Sequence, residues 1–243
     1  MSYRDILYAN YSASFGEGKA FDPAVQFAQY EAVYGRPALR KDAAVLDVGC
    51  GKGEWLAWMK QQGYTQLSGV DASISDLNHS QSWLRGVELH QRPVLEHLVD
   101  RPAAFDLIHG KDVAEHMTKD EFLRFLELAR VSLKPGGQLW LMTFNAQAPL
   151  ASATRYGDFT HEIGLTPRSL AQCLRACGYD HLHVRGVHYC STSLSGRLRW
   201  LLSRPVLLAA RLMLKLRHGA GIEEGIDTFA PHPDIFCAAR KSA

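Results

Sequence analysis

The 243-residue chain carries 27 basic and 25 acidic side chains, a formal net charge of +2, with 47% hydrophobic and 21% charged residues. This composition excludes a disordered or fibrous chain, and a chain of this length buries roughly 70% of its unfolded surface, so one large domain folds without a disulfide or metal staple. It also excludes a nucleic-acid binder working through bulk charge, although the charge is uneven. No Asp or Glu occurs between Asp180 and Glu223, where Arg185, Arg197, Arg199, Arg204, Arg211, Lys215 and Arg217 stand. Any functional reading has to account for this Leu-rich, basic block.

In chain order, the first feature is an aromatic segment, Tyr3, Tyr8, Tyr11 and Phe15, followed by Gly16 and Gly18. Two readings stay open: a lid with glycine hinges, or a helix packed on the domain. Residues 1–38 are therefore set apart as a helical or lid segment. From residue 39 onward, short apolar runs at 44–48, 67–70, 87–89, 105–109 and 138–143 read as strands bounded by turn residues. Amphipathic stretches at 54–62 and 119–133 lie between them, and Lys134-Pro135-Gly136-Gly137 reads as a helix stop and turn. Thr118-x-x-Glu121 is a capping box. A further helix opens at Thr166-Pro167, and residues 180–188 and 234–240 supply two more strands. Strand–helix alternation implies a parallel sheet with helices on both faces. The basic block, at about 190–232, becomes a helical insertion between the last two strands.

Five cysteines (Cys50, Cys173, Cys177, Cys190, Cys237) without C-x-x-C spacing read as free thiols, even with His188 near Cys190, and no metal is expected. The N-terminus has no apolar run of signal-peptide length. The longest apolar candidate, residues 200–216, is interrupted by Arg204, Pro205, Arg211 and Lys215 and is not a membrane span. A reduced, cytoplasmic setting is expected.

The chemical signal lies at Val45-Leu46-Asp47-Val48-Gly49-Cys50-Gly51-Lys52-Gly53, a buried strand running into a glycine-rich turn and then a helix. Such a turn lets the backbone approach a ligand closely. Asp71 ends the next strand, where a carboxylate accepts both hydroxyls of a ribose. The spacing is G-x-G-x-G. Glu54 stands where a dinucleotide fingerprint needs its third glycine, and no phosphate-loop motif occurs.

Together with Val70-Asp71, Phe105-Asp106-Leu107-Ile108-His109, Glu115-His116 and Leu133-Lys134-Pro135-Gly136-Gly137, this string resembles the class I S-adenosylmethionine-dependent methyltransferases over roughly residues 40–188 and again at the last strand. The resemblance implies a Rossmann-like, seven-stranded, mostly parallel sheet with an antiparallel last strand. It implies S-adenosyl-L-methionine as cofactor, bound by Asp47, Gly49, Cys50, Gly51 and Gly53 at the turn. Asp71 and Ala72 would serve the ribose, and His109 and Gly110 would lie beneath the cofactor. The sequence departs from the family where an acidic residue often meets the adenine amine: Pro93 stands there. Adenine recognition is thereby left to the backbone around Val94, with Glu96 a poor substitute.

Transfer to a hydroxyl requires in-line placement and a proton acceptor. Two clusters qualify. Lys111, Asp112, Glu115 and His116 follow the fourth strand, and residues 155–162 follow the fifth. His161 is the first choice for general base, since an imidazole titrates near neutrality. Asp158 or Glu162 would orient it, and Arg155, Tyr156, Glu115 and His116 would bind the acceptor. The string Arg155-Tyr156-Gly157-Asp158-Phe159-Thr160-His161-Glu162 also resembles bacterial methyltransferases encoded with surface-glycan assembly enzymes, which implies a sugar hydroxyl in a glycan or glycolipid. A small phenol, quinone or amine acceptor stays open, as does a non-catalytic cofactor-binding partner protein.

In the basic block, Arg197, Arg204, Arg211 and Lys215 fall within roughly 40° on a helical wheel beside a broad leucine face. Pro205 is expected to split the element into two helices, with Ser203 capping the second. One reading is an interfacial helix, residues 195–217, on an anionic membrane at its inner face. The other is packing on the protein's own sheet or on a second subunit in a homodimer. No nucleic-acid partner is expected.

Overall fold

The computed structural model describes residues 3–8, 21–187, 189, 194–218 and 223–241. Seven strands form one sheet: β1 (Ala44–Val48), β2 (Gln66–Asp71), β3 (Glu88–Gln91), β4 (Phe105–Lys111), β5 (Leu133–Phe144), β6 (Tyr179–Gly186) and β7 (Asp234–Lys241), in the order β3-β2-β1-β4-β5-β7-β6. The first five run parallel, and β7 lies antiparallel between β5 and β6. This is the Rossmann-like, mostly parallel sheet with an antiparallel last strand that the sequence implies.

Alternation along β1 shows why both faces need cover. Val45 packs on one side and Leu46 and Val48 on the other, all fully buried. α1 (Tyr3–Tyr8) lies against His116 and Glu121, while one layer is built by α2 (Pro23–Tyr34), α3 (Glu54–Gln61) and α4 (Ile74–Trp83). Of these, α2, α3 and α4 pack Tyr30, Tyr34, Trp55, Trp58 and Leu77 against Val45, Leu107 and Trp140. On the opposite face α5 (Val94–Val99), α6 (Lys119–Ser132) and, after α7 (Ala151–Gly157), α8 (Pro167–Ala176) bury Leu98, Phe122, Phe125 and Leu170. Reciprocal capping boxes, Thr118 with Glu121 and Thr166 with Ser169, start α6 and α8. Each such cap contributes about 1 kcal/mol.

The helix stop and turn at residues 134–137 hold: α6 ends at Ser132, Gly136 has φ +75°, and the pairing of β5 with β4 jumps from Phe105–Leu133 to Leu107–Gln138. One local expectation is corrected. The insertion helix α9 (Leu194–His218) runs unbroken through Pro205. Pro205 removes the N–H that Leu201 would accept, but Leu201 is exposed, so its carbonyl can reach water. Ser203 Oγ donates to the Trp200 carbonyl (2.7 Å) instead of capping a second helix. Among the described residues Cys50, Cys173, Cys177 and Cys237 are free thiols. His188 and Cys190 lie outside them, as do Tyr11, Phe15, Gly16 and Gly18 of the lid reading.

The strand order reverses between β1 and β4, and the carboxyl ends of β1, β2, β4 and β5 converge there. In open α/β sheets this is where ligands bind.

Candidate active site

The turn after β1 is tied on two sides. Gly49 and Cys50 amides both donate to the Val70 carbonyl (2.9 and 3.2 Å), and Ser80 Oγ donates to the Gly51 carbonyl (2.8 Å). Gly49 has φ +66°, and a Cβ there would stand 3.0 Å from Val113 Cγ2, so both the backbone and the space demand glycine. The Gly51 amide donates to Asp71 Oδ2 (2.8 Å), and the Ser73 amide to Asp71 Oδ1 (2.8 Å). Burial raises the Asp71 carboxyl above its ordinary range, while these two amides pull the other way.

Asp71 opens onto a cavity of about 920 Å³ that reaches from Gly49, Gly51 and Ala72, past Pro93 and Val94, to Glu115, His116 and His161. That volume lies within the roughly 300–1,000 Å³ of sites for drug-sized ligands. Its wall is rich in carboxylates: Asp71, Asp76, Asp112, Glu115 and Asp234 face it with Arg4 and Lys111. A smaller chamber of about 230 Å³ shares Gly49, Gly51 and Lys111 with it and is lined by Asp47, Cys50, Trp55 and His109.

His109 is a core residue. It is 1% exposed, its Nδ1 lies 2.7 Å from Asp47 Oδ1, its Nε2 lies 2.9 Å from the Tyr34 hydroxyl, and its ring stacks on Trp55. Gly110 and Gly53 line neither of these two cavities. A Cβ at Gly110 would strike Val48 and Val113, and one at Gly53 would strike Leu84.

At the other end, Thr160 connects the two histidines. Its hydroxyl donates to Asp158 Oδ1 (2.6 Å), which leaves its oxygen to accept from His116 Nδ1 (2.9 Å). His161 Nδ1 donates to the Thr154 carbonyl (3.0 Å), so in the neutral ring the lone pair is on Nε2, 3.9 Å from Asp158 Oδ2. Burial and neighbouring His161 both depress the His116 pKa. Glu115 is buried and accepts from Thr143 Oγ1 (3.0 Å); burial, then the Asp112 charge, hold its carboxyl well above the ordinary range. His116, Asp158 and His161 also place one potential ligand atom each within 4.8 Å of one another, the one set among the described residues whose donors approach a common cation position.

Three predicted acceptor-side residues turn away from the cavity. Arg155 donates to the His161 and Glu162 carbonyls, holding the loop, and stacks over Tyr156, which is 79% exposed. Glu162 accepts from the Tyr3 hydroxyl and lies 3.8 Å from Arg4. Sequence reasoning missed Thr160 and the rim pair in which the Tyr189 hydroxyl donates to Asp234 Oδ2 (2.5 Å). It also missed Arg4, which makes a two-pronged pair with Glu121 (2.6 and 2.8 Å) and lines the cavity beside Tyr8 of the N-terminal aromatic segment. Only a Thr between Asp158 and His161 hinted at the first of these.

A family model described as a methyltransferase domain matches residues 21–184. The ubiquinone biosynthesis O-methyltransferase of Rhizobium leguminosarum bv. trifolii is 26% identical over 159 residues, 60% of this chain and 62% of that protein. The protein of the same name from Leptothrix cholodnii is 27% identical over 161 residues, 60% of this chain and 67% of that one. Among solved structures, a SAM-dependent methyltransferase from Archaeoglobus fulgidus superimposes with a TM-score of 0.65 at 16% identity, covering 99% of this chain and 100% of that one. The Burkholderia thailandensis 1,6-didemethyltoxoflavin-N1-methyltransferase, solved with 1,6-didemethyltoxoflavin and S-adenosylhomocysteine, does so at 0.57 and 21%, covering 98% and 85%. With the family model matching well over half of the chain, the chain belongs to the methyltransferase domain family.

Proposed function

We propose that the protein is an O-methyltransferase acting on a hydroxyl, carried by a sugar in a bacterial glycan or glycolipid. The observation that carries this reading is one continuous cavity with the amide-braced Asp71 carboxylate at one end and His161 at the other. The residues fit the cofactor. Asp71 spends one acceptor site per oxygen on an amide and has capacity left for a vicinal diol, and the carboxylate-rich wall suits a cationic ligand. Asp47, Gly49, Cys50, Gly51 and Gly53 would shape the turn against the methionine end. Ala72 and the Val94 backbone would flank the adenosine, and His109 and Gly110 would support the floor from within the core. The cofactor supplies a methyl group already activated on a sulfonium.

The remaining work falls to the chain. His161 Nε2, oriented by the Thr154 carbonyl, accepts the hydroxyl proton, and Asp158 at 3.9 Å stabilises the imidazolium that results. Glu115 and His116 line the acceptor end, while Arg155, Tyr156 and Glu162 support the loop that holds His161. From residues 3–8, Arg4 and Tyr8 cover the cavity. The reaction is placed on the cytoplasmic side, peripheral at the inner face of an anionic membrane through residues 195–217, with a homodimer as the competing cover for that segment.

A second reading, a phenolic or quinol hydroxyl, is supported by the names of the relatives matched at 26–27%. Calorimetric titration with S-adenosylhomocysteine tests the cofactor site, and no binding at millimolar concentration overturns it. An acceptor screen of sugars, phenols and amines separates the two readings. Cofactor affinity without transfer to any acceptor would leave a non-catalytic partner protein.

A further inference from the structure

The helix α9 is about 37 Å long at 1.5 Å per residue, and it touches its own domain along one narrow stripe. Ser203, Leu207, Ala210 and Leu214 are half-buried on that side, and Arg211 pairs with Asp227 (2.8 Å) across it. At about 100° per residue, Leu194, Leu198, Leu201, Leu208, Leu212 and Leu216 lie within about 40° of a single line pointing away from the domain. Leu202, Val206 and Met213 widen this apolar arc on one side. All are exposed, Leu208 to 70% and Leu216 to 77%. Cations bound the arc on both sides: Arg197, Arg204 and Lys215 along one edge, Arg199 and Arg217 along the other. The helix contains no Asp or Glu.

We propose that α9 lies in the headgroup plane of an anionic lipid surface, its outward leucine arc among the upper acyl chains and its two basic edges on lipid phosphates. This rests on the peripheral placement given above and adds the face that makes the contact. An apolar arc flanked by snorkelling cations is the pattern of an interfacial helix, and no helix among the described residues is long and apolar enough to cross the bilayer. A second copy fits worse. Pairing two helices along the arc sets Arg197, Arg204 and Lys215 beside the partner's cations with no carboxylate to meet them, and Pro205 stands in the seam. The insertion is also rooted at the catalytic cavity, since Tyr189 before it and Asp234 after it both line the rim.

The test is co-sedimentation of the full chain with vesicles of phosphatidylcholine alone and of phosphatidylcholine mixed with phosphatidylglycerol. Binding is expected on the mixed vesicles only, weakening with salt. Leu198→Gln with Leu212→Gln, and separately Arg197→Gln with Arg204→Gln and Lys215→Gln, should each lower partitioning by about tenfold or more. Both sets should bind S-adenosylhomocysteine as the parent does, which shows that they fold. No binding to either vesicle overturns the peripheral placement. Binding that survives both sets of substitutions overturns the assignment of α9. Sedimentation equilibrium showing a dimer that Leu198→Gln with Leu212→Gln dissociates assigns the arc to a second copy. None of these readouts depends on methyl transfer.

Discussion

His109 Nδ1 lies 2.7 Å from Asp47 Oδ1, between residues that face each other in the parallel register of β1 and β4. Both side chains are almost completely removed from solvent, and the other ring nitrogen is held by Tyr34. The pair joins the sheet's two central strands directly beneath the glycine turn. Replacing His109 by Leu strands a buried carboxylate and should destabilise the protein by about 3–5 kcal/mol. Asp47→Asn keeps a hydrogen-bond acceptor for the ring and should cost distinctly less, as denaturant unfolding of the two variants would show.

Asp71→Ala removes the proposed diol acceptor and the partner of the Gly51 and Ser73 amides. Two charge-assisted hydrogen bonds are at stake, so S-adenosylhomocysteine affinity should fall by about a hundredfold or more. Calorimetry reads this directly. An affinity within a few-fold of the parent would remove Asp71 from the site.

His161→Ala should lower kcat by about a hundredfold or more while leaving S-adenosylhomocysteine affinity unchanged, because the side chain lies at the opposite end of the cavity from Asp71. Asp158→Asn should lower kcat by less and move the acidic limb of the pH profile to lower pH, because the imidazolium loses its neighbouring negative charge. Unchanged turnover in His161→Ala at neutral pH assigns the proton to another group.

Chelation tests His161 and Asp158 differently, together with His116. With His161 as base, turnover after dialysis against EDTA should equal that before it. Loss of turnover restored by a divalent ion would reassign His116, Asp158 and His161 as ligands.

Glu115 gives a pH dependence of stability. Its carboxyl is held above the ordinary value of ~4.3 by burial and by Asp112, so the folded state retains a proton that the unfolded chain releases. Stability from this group is therefore present at low pH and lost as pH rises through the raised value. Glu115→Gln is neutral at every pH and keeps an acceptor for Thr143 Oγ1. Its melting temperature relative to the parent should rise between pH 5 and pH 9, and a constant difference would contradict the buried, protonated carboxyl.

Sheet and turn were legible because each carries a local signature: buried alternation at Val45, Leu46 and Val48, and glycine at Gly49 where φ is positive. The orientations of polar side chains were not. Arg155, Tyr156 and Glu162 sit within six residues of His161, and residue type alone does not reveal that Arg155 is consumed by two loop carbonyls. His109 reads as a ligand by position, but Tyr34, 75 residues away in sequence, closes its second nitrogen. Pro205 misled for a different reason: the proline rule assumes that a freed carbonyl is costly, and on the solvent side of α9 it is not.

The hydrogen bond from Tyr189 to Asp234 brings together the two ends of the connection between β6 and β7. A connection closed at its base in this way is thermodynamically a loop, and the entropy of closing it grows only with the logarithm of its length, by about 0.6 kcal/mol per doubling. The sheet edge can therefore carry a long helix at this place, or a short turn, at nearly the same stability. Lengthening or shortening α9 is thus open to selection with little disturbance of the cavity at its root.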